Sequence, residues 1–371
     1  MLDNAAKLVL LYECVKTKDE EHTMLTENLI KEFSQAFGPP GFEDDVLALA
    51  QKHLPQGYAA RRDSMLNLYI EKEQSPGLPT VLLDAHSDEV GLMVHAVKPD
   101  GTLAFTTLGG WTAAALVGQR MLVKNRAGQL VTAVVAAKAP HFGKDDAISL
   151  DQLVLDIGAS AKAQVEANFA IGPGCPVAPK SDFEQRGDTL IGKAFDDRLG
   201  CAAVLEALHK LNGCTLDINL AGTLSSQEEV GLRGAKVCAN HVKPAVAICL
   251  EGAPADDTLS DSSVSQTALG CGPMLRHMDT SMITNPRLMR FALNIAHEHN
   301  IPVQQAIRTR GATNGGSFHL ANLGVPTLVI ACPVRYVHSH NGIANLSDYN
   351  HMVDFTVALV KALNVDIIAG C

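Results

Sequence analysis

One tryptophan occurs in 371 residues, aromatic residues make up 5% of the chain, and there is no Cys-x-x-Cys pair. The missing pair argues against a cysteine zinc knot. Nine scattered cysteines, an odd number in apolar or helical surroundings, read as reduced core residues and not as a disulfide framework. The aromatics, Trp111 among them, form no stripe on which bases could stack. Positive charge is scarce as well. With 30 Lys and Arg against 40 Asp and Glu the formal charge is -10, and no basic stripe offsets it, which argues against nucleic acid as a partner. No apolar run is long enough to span a bilayer. The opening stretch Met1-Leu2-Asp3-Asn4 is acidic where a secretion signal would be basic, and its apolar run ends in Tyr12-Glu13. These absences predict a cytoplasmic protein that engages neither nucleic acid nor membrane.

What is present fits an enzyme. Hydrophobic residues account for 47% of the chain and charged residues for only 19%, so global disorder is excluded. At this length a single core usually stops growing, which favours two domains. Helical spacing is expected around Leu8, Leu11 and Val15, then after Thr26 or Glu27, and from Glu43 to Leu54 beyond the turn Gly38-Pro39-Pro40-Gly41. Leu66 to Ile70 and Val81 to Ala85 read as strands. Residues 92–187 change texture into short extended runs separated by glycine, lysine and proline, the pattern of a small β-rich domain. From Phe195 onward strands and helices alternate again: a helix over 198–211, a strand over 216–224, a helix over 233–239, a strand over 245–250, a helix near 285–299, strands near Val303 and over 326–331, and a closing helix over 348–363. The chain therefore divides into an α/β domain in two parts, 1–91 and 188–371, with 92–187 inserted between them.

The expected strands share one habit: polar residues follow their ends. His86 follows the strand ending at Ala85. Asp196 precedes a helix. The pair Glu228-Glu229 follows the strand at 216–224, Glu251 follows the apolar run Val246 to Leu250, and His338 follows the strand and turn leading to Tyr336-Val337. In open α/β sheets, side chains beyond the C-terminal strand ends converge on a crevice. Two imidazoles and three carboxylates meeting there suit one or two divalent ions such as zinc, cobalt or manganese. Asp196 is a candidate bridge between two ions roughly 3.5–4 Å apart. Asp88, two residues from His86, could orient its imidazole. Glu228 would be free to move a proton. Taken singly, each acid also reads as a solvated surface residue and each histidine as an ordinary cap, so residue chemistry by itself leaves both readings open.

The motifs in order resemble the M42 family of metallo-aminopeptidases, the tetrahedral or glutamyl-aminopeptidase type, also called endoglucanase M-like. They are Gly38-Pro39-Pro40-Gly41-Phe42-Glu43, Asp84-Ala85-His86-Ser87-Asp88-Glu89-Val90-Gly91, Gly192-Lys193-Ala194-Phe195-Asp196-Asp197-Arg198, Ser226-Gln227-Glu228-Glu229-Val230-Gly231-Leu232-Arg233-Gly234-Ala235, Gly324-Val325-Pro326-Thr327 and Arg335-Tyr336-Val337-His338-Ser339. Thinner matches, Pro140-His141 and Leu155 to Ala159, fall in the insertion. The resemblance implies a mixed-sheet metallopeptidase domain flanked by helices, with an inserted small β-barrel that helps subunits associate. It implies two metal ions, one held by His86, Asp196 and Glu251 and the other by Asp196, Glu229 and His338, with Glu228 as general base and Asp88 as the orienting carboxylate. It also implies short peptide substrates and dimers assembled into a hollow tetrahedral dodecamer. Three positions depart from the family pattern. Glu251 stands where aspartate is more common, Asn314 where the pattern has aspartate, and Gly342 where glutamate is common.

The weaker signals fit ordinary roles better than catalytic ones. His141 reads as a structural or interface residue. In His338-Ser339-His340 a turn would separate the two imidazoles, which favours His338 alone. Gly270-Cys271-Gly272-Pro273 lacks the strand-to-helix setting of a phosphate loop and reads as a turn close to the site. Ser225-Ser226 lacks the G-x-S-x-G setting of a serine nucleophile. Two rival functions share these residues: a dinuclear hydrolase for another amide or an acylated small molecule, and a non-catalytic assembly protein with a relic site.

Overall fold

The computed structural model describes residues 26–138, 148–259, 261 and 263–371. The helix expected around Leu8, Leu11 and Val15, and the residue His141, lie outside the described residues. Among them, a helix over 26–35 buries Leu29, Ile30 and Phe33.

Strands β1 (Ala59–Arg62), β2 (Leu68–Glu71) and β3 (Thr80–His86) open the large sheet. The chain then leaves it for β4 (Gly91–Val97), β5 (Leu103–Leu108), β6 (Arg120–Lys124), β7 (Leu130–Ala136), β8 (Val154–Asp156) and β9 (Pro176–Pro179). These six close into a barrel in the order β4-β5-β8-β7-β6-β9. Leu92, Val94, Met121, Val123, Val135, Leu155 and Val177 fill its interior. The chain returns through β10 (Glu184–Arg186), β11 (Thr189–Gly192), β12 (Asn219–Ser225), β13 (Val246–Pro254), β14 (Met274–Met278), β15 (Gln304–Ile307), β16 (Thr327–Arg335) and β17 (Gly342–Asn345).

The centre of the large sheet is parallel, in the order β12-β3-β13-β16. Antiparallel strands β2 and β1 extend one edge, and β17, β11 and β10 the other, so the sheet is mixed. Both faces of the central strands are covered, which is why they read as continuous apolar runs. Val81, Leu83 and Ala85 of β3 point into the core shared with helices Phe195–Leu211 and Leu346–Ala362. Leu82, between them, points to the opposite face, where Ala235, Cys238 and Phe318 of helices Arg233–Val242 and Asn314–His319 pack. Of the cysteines, Cys175, Cys201, Cys238, Cys249 and Cys332 are buried and unbridged. Among the described residues no helix is long and apolar enough to cross a membrane.

Two local differences from the sequence reading have physical causes. Strand β13 continues to Pro254, past the expected end at Leu250, so Glu251 projects from within the strand. The insertion also holds a helix, Lys162–Phe169, that buries only Val165 and so lacks the apolar stripe that marks a helix in sequence.

Candidate active site

The parallel register brings the ends of β3 and β12 side by side, with His86 opposite Ser225. His86 is the last residue of β3 and is buried. Its Nδ1 donates to the Asp88 carbonyl at 3.2 Å, which leaves Nε2 directed at Asp196 Oδ1, 2.9 Å away, with Glu251 Oε2 at 3.9 Å. The backbone N–H of His86 donates to Asp197 Oδ2 at 3.0 Å. Asp196 and Asp197 sit at the start of helix Phe195–Leu211 with non-helical backbone angles, joined by a cis peptide. The partly covered Asp196 carboxylate lies between His86 and His338, and Asp197 is fully buried.

On the far side of Asp196, His338 repeats the arrangement. Its Nδ1 donates to the Gly110 carbonyl of the barrel at 3.0 Å, and its Nε2 lies 3.5 Å from Asp196 Oδ2 and 3.3 Å from Glu229 Oε2. A histidine whose Nδ1–H is committed to a carbonyl presents the Nε2 lone pair, the form in which imidazole binds metals. Ligand atoms of His86, Asp196 and Glu251 all lie within 4.8 Å of one another, and so do those of Asp196, Glu229 and His338. A third such grouping joins His86, Glu228 and Glu229, so Glu228 stands beside the same cluster. All the candidate residues named from the sequence, His86, Asp88, Asp196, Glu228, Glu229, Glu251 and His338, meet in this one region.

The electrostatics are those of a site rich in acid. Burial pushes Glu251 up to about 8 and Glu228 well above the carboxylate range, in both cases against the pull of the charged His86. Burial also raises Glu229, against its contact with His338. At Asp196 burial is outweighed by hydrogen bonds from His338 and His86, which hold it below its usual value. At His338 burial is outweighed by hydrogen bonds to Asp196 and Glu229, which raise it to about 11. The three raised carboxyl groups, Glu228, Glu229 and Glu251, and the two imidazoles around Asp196 thus favour protons that cations would replace. Glu229 Oε1 is buried with no hydrogen-bond partner. An orphaned carboxylate oxygen, two imidazoles held with Nε2 inward and overlapping ligand groupings fit divalent metal ions.

Beside the cluster a cavity of about 630 Å³ opens, lined also by Arg276, Arg308 and Arg310. Arg276 is buried and paired with Asp279 at 3.0 Å, with its Nε unpartnered. These arginines were not singled out from the sequence. Nothing in the sequence marks a role either for Glu43 and Asn67, whose side chains accept from the backbone amides of Gln227 and Ser226. Other residues fall where their ordinary roles predicted. His340 turns away from His338 and is buried against Trp111 and Met121 of the barrel. Ser225 Oγ donates to Asp84 and Ser226 Oγ to the Met65 carbonyl. The turn expected at Gly270–Gly272 is present and held by Asp348, but it does not line the cavity, against the expectation that it lies close to the site.

Comparison with known proteins places this geometry. The model of the M42 glutamyl aminopeptidase family matches residues 67–355. The chain belongs to the M42 peptidase family. It is 32% identical over 349 residues to a glutamyl aminopeptidase of Lactococcus lactis, covering 92% of this chain and 97% of that one. The solved TET aminopeptidase of Thaumarchaeota archaeon SCGC AB-539-E09 superposes with a TM-score of 0.89 at 33% identity, over 93% of this chain and 99% of that chain. The TET1 peptidase of Pyrococcus horikoshii, described as assembling into a tetrahedron or a large octahedral shell, gives 0.82 at 29% identity over 91% and 100%. This M42 chain is therefore a hydrolase, a peptidase of a metal-dependent family. Its departures from the family pattern have structural settings. Asn314 Nδ2 donates to Asp84 Oδ2 at 2.9 Å and to Ser225 Oγ at 2.7 Å, so the amide supplies a donor to a buried carboxyl beneath the site. Gly342 pairs with Gly192, and a Cβ there would approach the Phe195 ring at 3.3 Å, so this position faces packing and does not line the cavity.

Proposed function

We propose that the chain is a dinuclear aminopeptidase that removes the N-terminal residue from short peptides. The observation that carries this reading is Asp196, whose carboxylate is common to the groupings His86–Asp196–Glu251 and Asp196–Glu229–His338. A shared carboxylate between two His/carboxylate sets is suited to bridging two cations. The donor set of imidazole nitrogens and carboxylate oxygens suits zinc or cobalt first, and manganese as well. When bound, such ions supply Lewis acidity that polarises the scissile carbonyl and acidifies water. Glu228 takes the proton of the attacking water and delivers it to the departing amine. Asp88 keeps the His86 ring and the Glu228–Glu229 backbone in register.

The arginines of the cavity favour a first residue with an acidic side chain: among the described residues Arg276, Arg308 and Arg310 are the cationic side chains lining it besides the imidazole of His338, and Arg310 has no ion pair while Arg276 and Arg308 pair with Asp279 and Asp256. The name of the Lactococcus lactis relative, a glutamyl aminopeptidase, supports the same preference. The assembling Pyrococcus horikoshii peptidase supports a homo-oligomer, with a tetrahedral dodecamer built from dimers as its form and the inserted barrel as the dimerising element. The test is a panel of amino-acid p-nitroanilides beside their N-acylated counterparts. An aminopeptidase hydrolyses the free amines and spares the blocked ones. Equal hydrolysis of both would instead mark a general amide hydrolase.

A further inference from the structure

The turn that carries Glu228 and Glu229 is held by its backbone. Four consecutive amides donate to side chains from three distant segments: Ser226 N–H to Asn67 Oδ1 at 2.9 Å, Gln227 N–H to Glu43 Oε1 at 3.2 Å, Glu228 N–H to Asp88 Oδ1 at 2.9 Å and Glu229 N–H to Asp88 Oδ2 at 3.1 Å. All three acceptor residues are buried. Gln227 has φ +55, so without tertiary hydrogen bonds the turn would relax toward a commoner backbone region. Each acceptor is itself fixed. Asn67 Nδ2 donates to Asp63 Oδ2 at 2.8 Å, and Glu43 Oε1 also accepts from Gly41 N–H at 2.8 Å.

We propose that Glu43 and Asn67 are positioning residues for the peptidase reaction, completing with Asp88 a cradle that fixes where the Glu228 carboxylate stands. The inference rests on the aminopeptidase reading for its kinetic consequence and on hydrogen bonds alone for its structural one. Glu43 touches neither the cavity nor the ligand groupings, so its effect on chemistry passes through the Gln227 amide. Burial, and then the nearby Asp88 carboxylate, pushes Glu43 up to about 8. Glu43→Gln is close to isosteric and keeps the Oε1 acceptor toward the Gln227 and Gly41 amides.

The experiment combines amide hydrogen exchange and steady-state kinetics on the intact, metal-loaded protein. Glu43→Ala is expected to speed exchange across residues 226–229 by roughly tenfold or more while β12 stays protected. It should lower kcat by roughly tenfold or more with KM little changed, the pattern of a lost transition-state interaction. Glu43→Gln should restore both. Asn67→Ala, which removes the Ser226 acceptor together with the bond to Asp63, gives the same paired readout should Glu43→Ala fail to fold. Unchanged exchange at 226–229 in the folded Ala variants would overturn the proposal, as would a Glu43→Gln loss equal to that of Glu43→Ala. A wild-type protein that hydrolyses no peptide would retire the aminopeptidase reading instead, and the exchange result would still decide the cradle.

Discussion

Asp88 holds the candidate base by its backbone: Asp88 Oδ1 accepts the Glu228 N–H at 2.9 Å. The carbonyl of the same residue accepts from His86 Nδ1 at 3.2 Å. One buried residue thus ties the first candidate ligand to the turn bearing the base, across more than a hundred residues of sequence. Asp88→Ala keeps that carbonyl but removes the acceptors of the Glu228 and Glu229 amides and the Oδ1 that lies 3.4 Å from His86 Nδ1, so it is expected to lower both metal affinity and kcat, each by roughly 10–100-fold. Asp88→Asn keeps one acceptor oxygen and should fall between. Equilibrium dialysis against a graded metal buffer, run beside kinetics, separates the two losses.

His338 offers a second test of the ligand assignment. Its Nδ1 donates to the Gly110 carbonyl, so replacing the ring removes that bond together with the inward Nε2. His338→Ala should lower the bound metal from about two ions per chain toward one, as read by elemental analysis. Chelation of the wild type should abolish hydrolysis, and zinc or cobalt should restore it. Unchanged metal content in His338→Ala would remove His338 from the ligand set.

Substrate choice tests the arginines of the cavity. Arg310 is exposed, so Arg310→Ala leaves the core untouched. It should raise KM for a glutamyl substrate severalfold, and Arg276→Met should raise it further, on the scale of about 1.5–3 kcal/mol for a hydrogen bond to a charged group. Neither change should raise KM for a leucyl substrate. A wild type that prefers lysyl over glutamyl substrates would contradict the assignment.

His340 gives a pH prediction independent of the cluster. Burial holds its imidazole down at about 4, against an ordinary value near 6.5. The unfolded chain therefore binds more protons than the folded one between these values. The stabilising contribution is fully present above about 6.5 and is lost as the pH falls toward 4, up to a limit on the order of 3 kcal/mol. His340→Gln should flatten this limb relative to wild type. Thermal midpoints at pH 7.5 and pH 5 for both proteins check it, and parallel slopes would contradict it.

How far the sequence carries depends on the kind of interaction. The strands β3, β12, β13 and β16 are covered on both faces and announce themselves as apolar runs, so the acids and histidines after them were legible. His338 and His340 separated as a turn requires, one toward Asp196 and one toward Trp111. The extension of β13 through Gly252-Ala253-Pro254 was hidden, because glycine and proline there read as a break although the strand pairs β16 to its end. Glu43 and Asn67 act on backbone amides 159 or more positions away, and a side chain meeting a distant N–H leaves no periodic trace. The arginines escaped for a similar reason. Arg276 lies on β14 and Arg308 just beyond β15, and only the sheet brings them to the cavity.

The central claim is that Glu228 moves the proton while its neighbour Glu229 helps hold the metal. Glu228→Gln removes the proton carrier and keeps the shape. Peptide hydrolysis and metal content measured on the same preparation decide it. The account predicts full metal occupancy with nearly all hydrolysis lost; hydrolysis at the wild-type rate in that variant would contradict it.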